Sequence, residues 1–202
     1  MAQKLAINTM YPDEFLGWVQ NQEQRFELVD GQPMMMGGAN RTHNEIAGNT
    51  YVSLKSQLKG KPCKPYESDF AVKIPAGNIR YPDVSVDCGR ADGKGKDLVS
   101  NTPVLVVEVL SNSTRTFDFL KKAKEYKTIA SVEYILLIDQ DAPYVIFQCC
   151  DDNRKWDEFH IIGIDSKIEM PAIGVTLQLC DLYEDVMFEN ILENIESSNF
   201  KP

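Results

Sequence analysis

Histidine is scarce in this chain of 202 residues: His43 and His160 are the only two. Two candidate bases leave little room for a Ser/His/Asp hydrolase, and no GxSxG elbow is present. Cysteine offers little more. The five cysteines, Cys63, Cys88, Cys149, Cys150 and Cys180, are an odd number with no CxxC pair. Thiolate zinc sites and a disulfide framework are therefore disfavoured, and the cysteines are expected to be reduced, mostly buried thiols. Gly-rich phosphate loops are missing too: there is no GxxxxGK[ST] and no GxGxxG after a strand, and Gly93-Lys94-Gly95-Lys96 precedes no helix signal. Long hydrophobic runs are absent. The strongest, Pro103 to Leu110, contains Glu108 and falls far short of the ~20 residues that span a bilayer. Met1 to Ala6 lacks the apolar stretch of a secretory signal, so the expectation is a cytoplasmic protein with no membrane association.

What is present fits one compact domain over residues 1–202, with a quarter of residues charged and 43% hydrophobic. The net charge is 21 minus 30, or −9, which weighs against a polyanionic partner such as DNA. Its distribution softens that objection. Lys55, Lys59, Lys61 and Lys64 form a run with no acid between them, and residues 111–130 carry five basic groups against two acidic ones. Acids concentrate after Asp181, with no basic residue before Lys201. A local basic surface and an ordinary solvated face both accommodate the lysine run.

Hydrophobic periodicity gives the order of elements. A short helix is expected over Pro12 to Gln24, then a hairpin from Phe26 to Met36 turning at Asp30-Gly31. A second helix runs from about Asn40 to Leu58, entered through Thr42. Strands follow at Phe70 to Ile74 and Tyr81 to Asp87, then a surface loop over 89–101. Val104 to Leu110 is apolar on both faces, as in a central strand covered on each side. Beyond it come a helix from about Thr116 to Ala130, a buried strand from Val132 to Ile138, a hairpin of Tyr144 to Cys150 with Phe159 to Ile164, and a closing acidic helix from Leu182 to Ile195. Strands on both sides of a βαβ-like centre imply an α/β fold, a central mixed sheet flanked by helices on both faces.

Two of these strands hold a carboxylate in apolar surroundings: Asp83 in Tyr-Pro-Asp-Val-Ser-Val and Glu108 in Val-Val-Glu-Val-Leu-Ser. A buried carboxylate is costly unless paired, hydrogen-bonded or neutralised by a cation, and two side by side repel. Such oxygen sites suit Mg²⁺ or Mn²⁺, which take one or two protein carboxylates plus water and substrate phosphate. The plainer alternative is that each acid points to solvent from a strand end. On the helix after Glu108, Phe119, Ala123, Tyr126 and Ala130 define a core stripe. Lys122 falls roughly 80° from its centre and Lys121 about 180° away, in solvent. Lys122 can therefore lean toward the acids, holding a nucleophilic water or offsetting phosphate charge, or else pack its stem on the core rim with the ammonium in water.

Phe26-Glu27-Leu28-Val29-Asp30-Gly31, His43, Tyr81-Pro82-Asp83-Val84, Val107-Glu108-Val109-Leu110-Ser111, Asp118-x-x-x-Lys122-x-x-x-Tyr126, Glu133-Tyr134 and Ile138-Asp139 occur in that order. The ordered set resembles the Uma-type restriction endonuclease family of the PD-(D/E)XK nuclease superfamily, over roughly residues 10–185. The resemblance implies a restriction-endonuclease-like fold, a divalent metal held by Asp83 and Glu108, phosphodiester hydrolysis in DNA, and a homodimer. One departure matters: the residue two after the acid is Leu110, where the superfamily pattern has lysine, so that role would pass to Lys122. Glu27 would join the site as a further ligand or orient a water, unless it is an exposed strand residue. His43 would touch a phosphate or carry a proton, unless it is a satisfied surface group. Ser111 and Tyr126 are candidate substrate contacts, although capping suffices for Ser111, and packing around the acids for Tyr126 and Asp118. The acidic balance and Leu110 also suit a competing reading, a non-catalytic module that binds nucleic acid or protein on the same fold. An enzyme acting on another phosphoester is a third.

Overall fold

The computed structural model describes residues 9–89, 97–100, 102–111 and 118–188, with only the backbone of 118–120. Helix α1 (Pro12–Val19) precedes the hairpin of β1 (Phe26–Val29) and β2 (Gln32–Met35). Helix α2 (Arg41–Gln57) leads to β3 (Lys64–Glu67), β4 (Ala71–Lys73), β5 (Ile79–Arg80), β6 (Val84–Asp87), β7 (Val99–Ser100) and β8 (Pro103–Leu110). Helix α3 (Asp118–Lys127) then precedes β9 (Tyr134–Asp139), β10 (Tyr144–Cys150), β11 (Trp156–Ile162), β12 (Lys167–Met170), β13 (Val175–Gln178) and the single turn α4 (Leu179–Leu182).

Local chemistry explains several boundaries. Pro12 sits in the first turn of α1, where its missing N–H costs nothing, and the Glu14 carboxylate accepts the Tyr11 amide at 2.9 Å. The β1–β2 turn places Asp30 at φ 50° and Gly31 at φ 76°, both left-handed, as a two-residue hairpin turn requires. Pro33 is accommodated because β2 is an edge strand. Helix α2 starts where expected, but Asn40, not Thr42, is the cap, its side chain accepting the His43 amide at 2.8 Å.

The six-stranded sheet runs β11-β10-β9-β8-β6-β3, mixed because β8 and β9 are parallel while its other neighbours are antiparallel. A second sheet runs β2-β1-β5-β4-β7, and β12 pairs with β13. Side chains alternate across the central strands. Val107, Val109, Leu136 and Ile138 face Ile46 and Leu54 of α2, together with β13 and α4. Val106, Ile135 and Leu137 face Tyr126 and Ile129 at α3, with Val72 and Ile74 of the second sheet. Helix α1 covers the outer side of that second sheet through Phe15 against Leu28, Ala71 and Ile79. Helices thus flank the mixed sheet on both faces, as expected for the restriction-endonuclease-like class.

Other expectations change. Cys63 and Cys88 are disulfide-bonded rather than reduced, because β3 pairs with β6 in a register that sets Lys64 opposite Asp87 and so makes these cysteines the next facing pair. Of the remaining thiols, Cys149 and Cys150 are half-buried and Cys180 is exposed. Val99 and Ser100, expected in a loop, add a parallel strand beside β4. The helix expected to reach Ala130 ends at Lys127, and just beyond it Ile129, not Ala130, is buried. The closing helix expected over Leu182 to Ile195 is not formed in its described part: α4 ends at Leu182, residues 183–188 are turn and irregular chain, and residues 189–195 lie outside the described residues. No helix among the described residues is long and apolar enough to cross a membrane.

Candidate active site

Asp83 immediately precedes β6, whose Val84 pairs with Val107 of β8, so continuing the antiparallel register brings Asp83 beside Glu108. Its Oδ2 accepts the Val109 amide at 2.7 Å and lies 3.2 Å from Nε2 of His43, which stands in the first turn of α2. Burial opposes protonation of that imidazole, but the hydrogen bond and charge of Asp83, with Glu108 behind it, raise its pKa above the ordinary value. Among the described residues, His43 Nδ1 is buried without a partner.

Glu108 interrupts the apolar alternation of β8 and points to the α3 side. Its Oε1 accepts the hydroxyl of the wholly buried Tyr126 at 2.6 Å and lies 3.4 Å from Nζ of Lys122. Lys122 is also 3.0 Å from Oε1 of Glu27. Burial above all, with the charges of Asp83 and Glu27, pushes the Glu108 carboxyl up to about 7 against the downward pull of Lys122 and of the Tyr126 hydrogen bond. Burial works against the Lys122 charge as well, but Glu108 and Glu27 outweigh it and hold the ammonium above its usual value.

Behind this lies an ionic bracket that links the second sheet to α3. Alternation in β1 sends Leu28 toward α1 and Glu27 the opposite way. Glu27 is only 7% exposed. Its Oε1 accepts the Tyr81 amide at 3.2 Å and its Oε2 takes Arg80 at 2.8 Å. Arg80 also forks onto Glu125 of α3 at 2.7 and 3.0 Å, and Asn78 donates to Glu125 at 3.0 Å. Lys121, which the helical wheel placed in solvent, is instead half-buried: it pairs with Asp30 at 3.0 Å and also lines the cleft described next.

Asp83, Glu108, His43, Lys122, Glu27 and Arg80 line a cleft of about 730 Å³, bounded by the β1–β2 hairpin, the start of α2 and the end of β8. Asp83 and Glu108 each commit one oxygen to the protein; among the described residues, Asp83 Oδ1 and Glu108 Oε2 form no hydrogen bond. Crowded carboxylates, one with its proton affinity raised by burial and by its acidic neighbours, match the donor set of a hard divalent cation. Among the described residues no three His, Cys, Asp or Glu side chains converge into a group that could hold a metal ion.

The expected residues are therefore placed as follows. Asp83, Glu108, Lys122, Glu27, His43 and Ser111 all line one cleft. Tyr126 does not: buried behind Glu108, it props the carboxylate and cannot meet a substrate. Glu27 is neither an exposed strand residue nor open as a ligand, since Lys122, Arg80 and the Tyr81 amide occupy both of its oxygens. The Asp118 side chain lies outside the described residues. Sequence reasoning missed Arg80, Asn78 and Glu125. The available signal was Arg80 itself, a charged residue between apolar Ile79 and the Tyr-Pro-Asp segment.

Comparison with known proteins agrees with this architecture. A solved structure titled a "putative nuclease belonging to DUF820", from Anabaena variabilis, superposes with a TM-score of 0.71, covering 88% of this chain and 99% of that one at 17% identity, which defines the fold. The Uma2 family model, described as "Putative restriction endonuclease", matches residues 12–179, and the chain belongs to that family. Two proteins of Synechocystis sp. are also similar. One, slr1290, is 29% identical over 88% of this chain and 93% of its own length. The other, sll1609, is 27% identical over 80% of this chain and 93% of its own.

Proposed function

We propose that this chain is a metal-dependent endonuclease that hydrolyses phosphodiester bonds in DNA. Asp83 and Glu108 would hold Mg²⁺ or Mn²⁺, which when bound supplies charge stabilisation at a phosphate oxygen and a nucleophile at neutral pH. The chain's own groups do the rest. Lys122 Nζ, between Glu108 and Glu27, donates to the phosphate oxygens on which negative charge grows as water adds to phosphorus and the bond to the leaving sugar oxygen breaks. Glu27 is the positioning residue that holds Lys122 on the cleft floor, with Arg80 keeping Glu27 in place. His43 and the Val109 amide fix the rotamer of Asp83, as hydrogen-bonded supports do for ligating carboxylates. The proton of the attacking water ends on the leaving oxygen by way of solvent.

The observation that carries the reading is the pair of crowded, half-buried acids with a lysine 3.4 Å from one of them, on the floor of an open cleft. Family membership supports it. The test is cleavage of supercoiled plasmid and of single-stranded oligonucleotide with Mg²⁺, Mn²⁺ or Ca²⁺. Asp83→Asn and Glu108→Gln are preferable to alanine, because Asp83 accepts a backbone amide and Glu108 a buried hydroxyl that truncation would orphan. Each should lose metal-stimulated cleavage by about 10²–10³-fold, as loss of one transition-state contact does. Undiminished cleavage in both would refute the proposal. Retained DNA binding with no cleavage by the unaltered chain would favour a binding module on this fold.

A further inference from the structure

The cleft has two unlike ends. The charged end is built from Asp83, Glu108, Lys122 and His43. The other is a lip formed by β2 and the residues after it, Met34 to Gly38. In the β1–β2 register Met34 is the cross-strand partner of Glu27, so both side chains stand on the same face. Glu27 carries Lys122 at 3.0 Å, whereas Met34, one strand further out, is 54% exposed. An apolar side chain left open beside a buried ionic cluster gains nothing from folding.

Gly37 and Gly38 add a second, independent observation. Neither has a positive φ, so no backbone conformation demands glycine there. Among the described residues, a Cβ at either position would meet no atom within 4 Å beyond its two chain neighbours, so no packing there demands glycine. Both line the cleft. The space their missing side chains leave is space at the wall of the site, which suits close approach by a ligand.

We infer that this lip is a nucleobase subsite, in which Met34 packs against the face of a base next to the scissile phosphate while Gly37 and Gly38 leave room for the strand. The inference rests on the nuclease reading and names the part of the substrate that its phosphate chemistry leaves unplaced. With a phosphate at Lys122, a strand must send its adjoining base in some direction, and the cleft offers an apolar surface at the lip. Thioether side chains suit this contact, being flexible, polarizable and tolerant of any base, as a face-on contact must be. The contact is non-specific in sequence and favours single-stranded or unstacked substrates, whose base faces are open.

Methionine oxidation footprinting tests the inference on the full chain carrying Glu108→Gln, so that substrate is not consumed. A single-stranded oligonucleotide is titrated in Ca²⁺, binding is followed by fluorescence anisotropy, and the chain is pulsed with peroxide and mapped by mass spectrometry. Met34 should be protected at least fivefold at saturating oligonucleotide. Met187, 92% exposed and not among the cleft-lining residues, should oxidise at an unchanged rate and serves as the internal control. In the active chain, Met34→Ala and Gly38→Val should each raise KM on single strands roughly tenfold with kcat little changed, the size expected for a base-stacking contact. Unchanged thermal melting checks that both variants fold.

The outcomes separate the two readings. Binding and cleavage with Met34 as reactive as before would overturn the lip and leave the nuclease standing. No binding and no cleavage would overturn both. Protection of Met34 that appears without oligonucleotide and grows with protein concentration would assign the lip to a second copy of the chain and overturn the inference.

Discussion

Replacing Arg80 by methionine removes the cation that joins the second sheet to α3 while keeping much of its stem. The Arg80 side chain is 5% exposed and carries three hydrogen bonds to two carboxylates, at 2.8 Å to Glu27 and at 2.7 and 3.0 Å to Glu125. Taking one partner from a buried ion pair costs about 3–5 kcal/mol, because the other charge stays buried without compensation. Here the lower end applies. Glu27 keeps Lys122 and the Tyr81 amide, and Glu125 keeps Asn78. A loss of about 3 kcal/mol corresponds to a melting point lower by roughly 6–12 °C for a domain of this size. Urea denaturation followed by far-UV circular dichroism measures it directly. The double variant Arg80→Met, Glu125→Gln provides the control: neutralising Glu125 removes one of the two stranded charges, so the double variant should be less destabilised than the two single losses summed, by about 1–2 kcal/mol. A loss below about 1 kcal/mol for Arg80→Met, or strict additivity in the double variant, would refute the bracket as described.

Two further predictions concern the opposite end of the sheet. Burial alone would raise the Asp87 carboxyl, but hydrogen bonds from Ser100, the Gly89 amide and Thr102 outweigh it and hold its pKa below the ordinary value. A depressed carboxylate stabilises the fold above its unfolded pKa of about 4 and loses that contribution as pH falls through the folded value. Asp87→Asn should therefore cost about 1–3 kcal/mol at pH 7 in urea titrations, and the gap from the parent chain should narrow below about pH 4; a gap independent of pH would count against the network. Reducing the Cys63–Cys88 bond, which closes a separation of 25 residues, should cost about 3 kcal/mol and lower the melting point by roughly 6–12 °C in scanning calorimetry with and without a reductant. The double serine variant should melt at the reduced temperature under both conditions.

How much of this was legible in the sequence varies by residue. Glu108 stands out because a carboxylate within an apolar strand demands compensation, and Lys122 because helix geometry alone separates it from Lys121. The parallel β8–β9 core follows from two apolar runs joined by a helix. The rest depended on long-range register. Nothing local distinguishes Glu27 on an exposed edge from Glu27 gripping Lys122 and Arg80, since that depends on which face of β1 meets α3. Cys63 and Cys88 look like unrelated thiols until β3 and β6 pair, and Pro65 hides β3 from a propensity reading. The β12–β13 hairpin was missed because its strands are joined by a 3-10 turn, Pro171–Ile173, and not by a two-residue Asp-Gly turn like that of β1–β2.

The central claim is that Asp83 and Glu108 share one hard cation. Titration of Mn²⁺ into the full chain, followed by electron paramagnetic resonance of the free ion and by calorimetry, tests this without relying on catalysis. The account predicts one Mn²⁺ bound per chain, displaced by Mg²⁺, with affinity weakened at least tenfold by Asp83→Asn and again by Glu108→Gln. Glu158→Gln, on the half-exposed edge of β11, should leave it unchanged. Equal Mn²⁺ affinity in the parent chain and both carboxylate variants would contradict the claim.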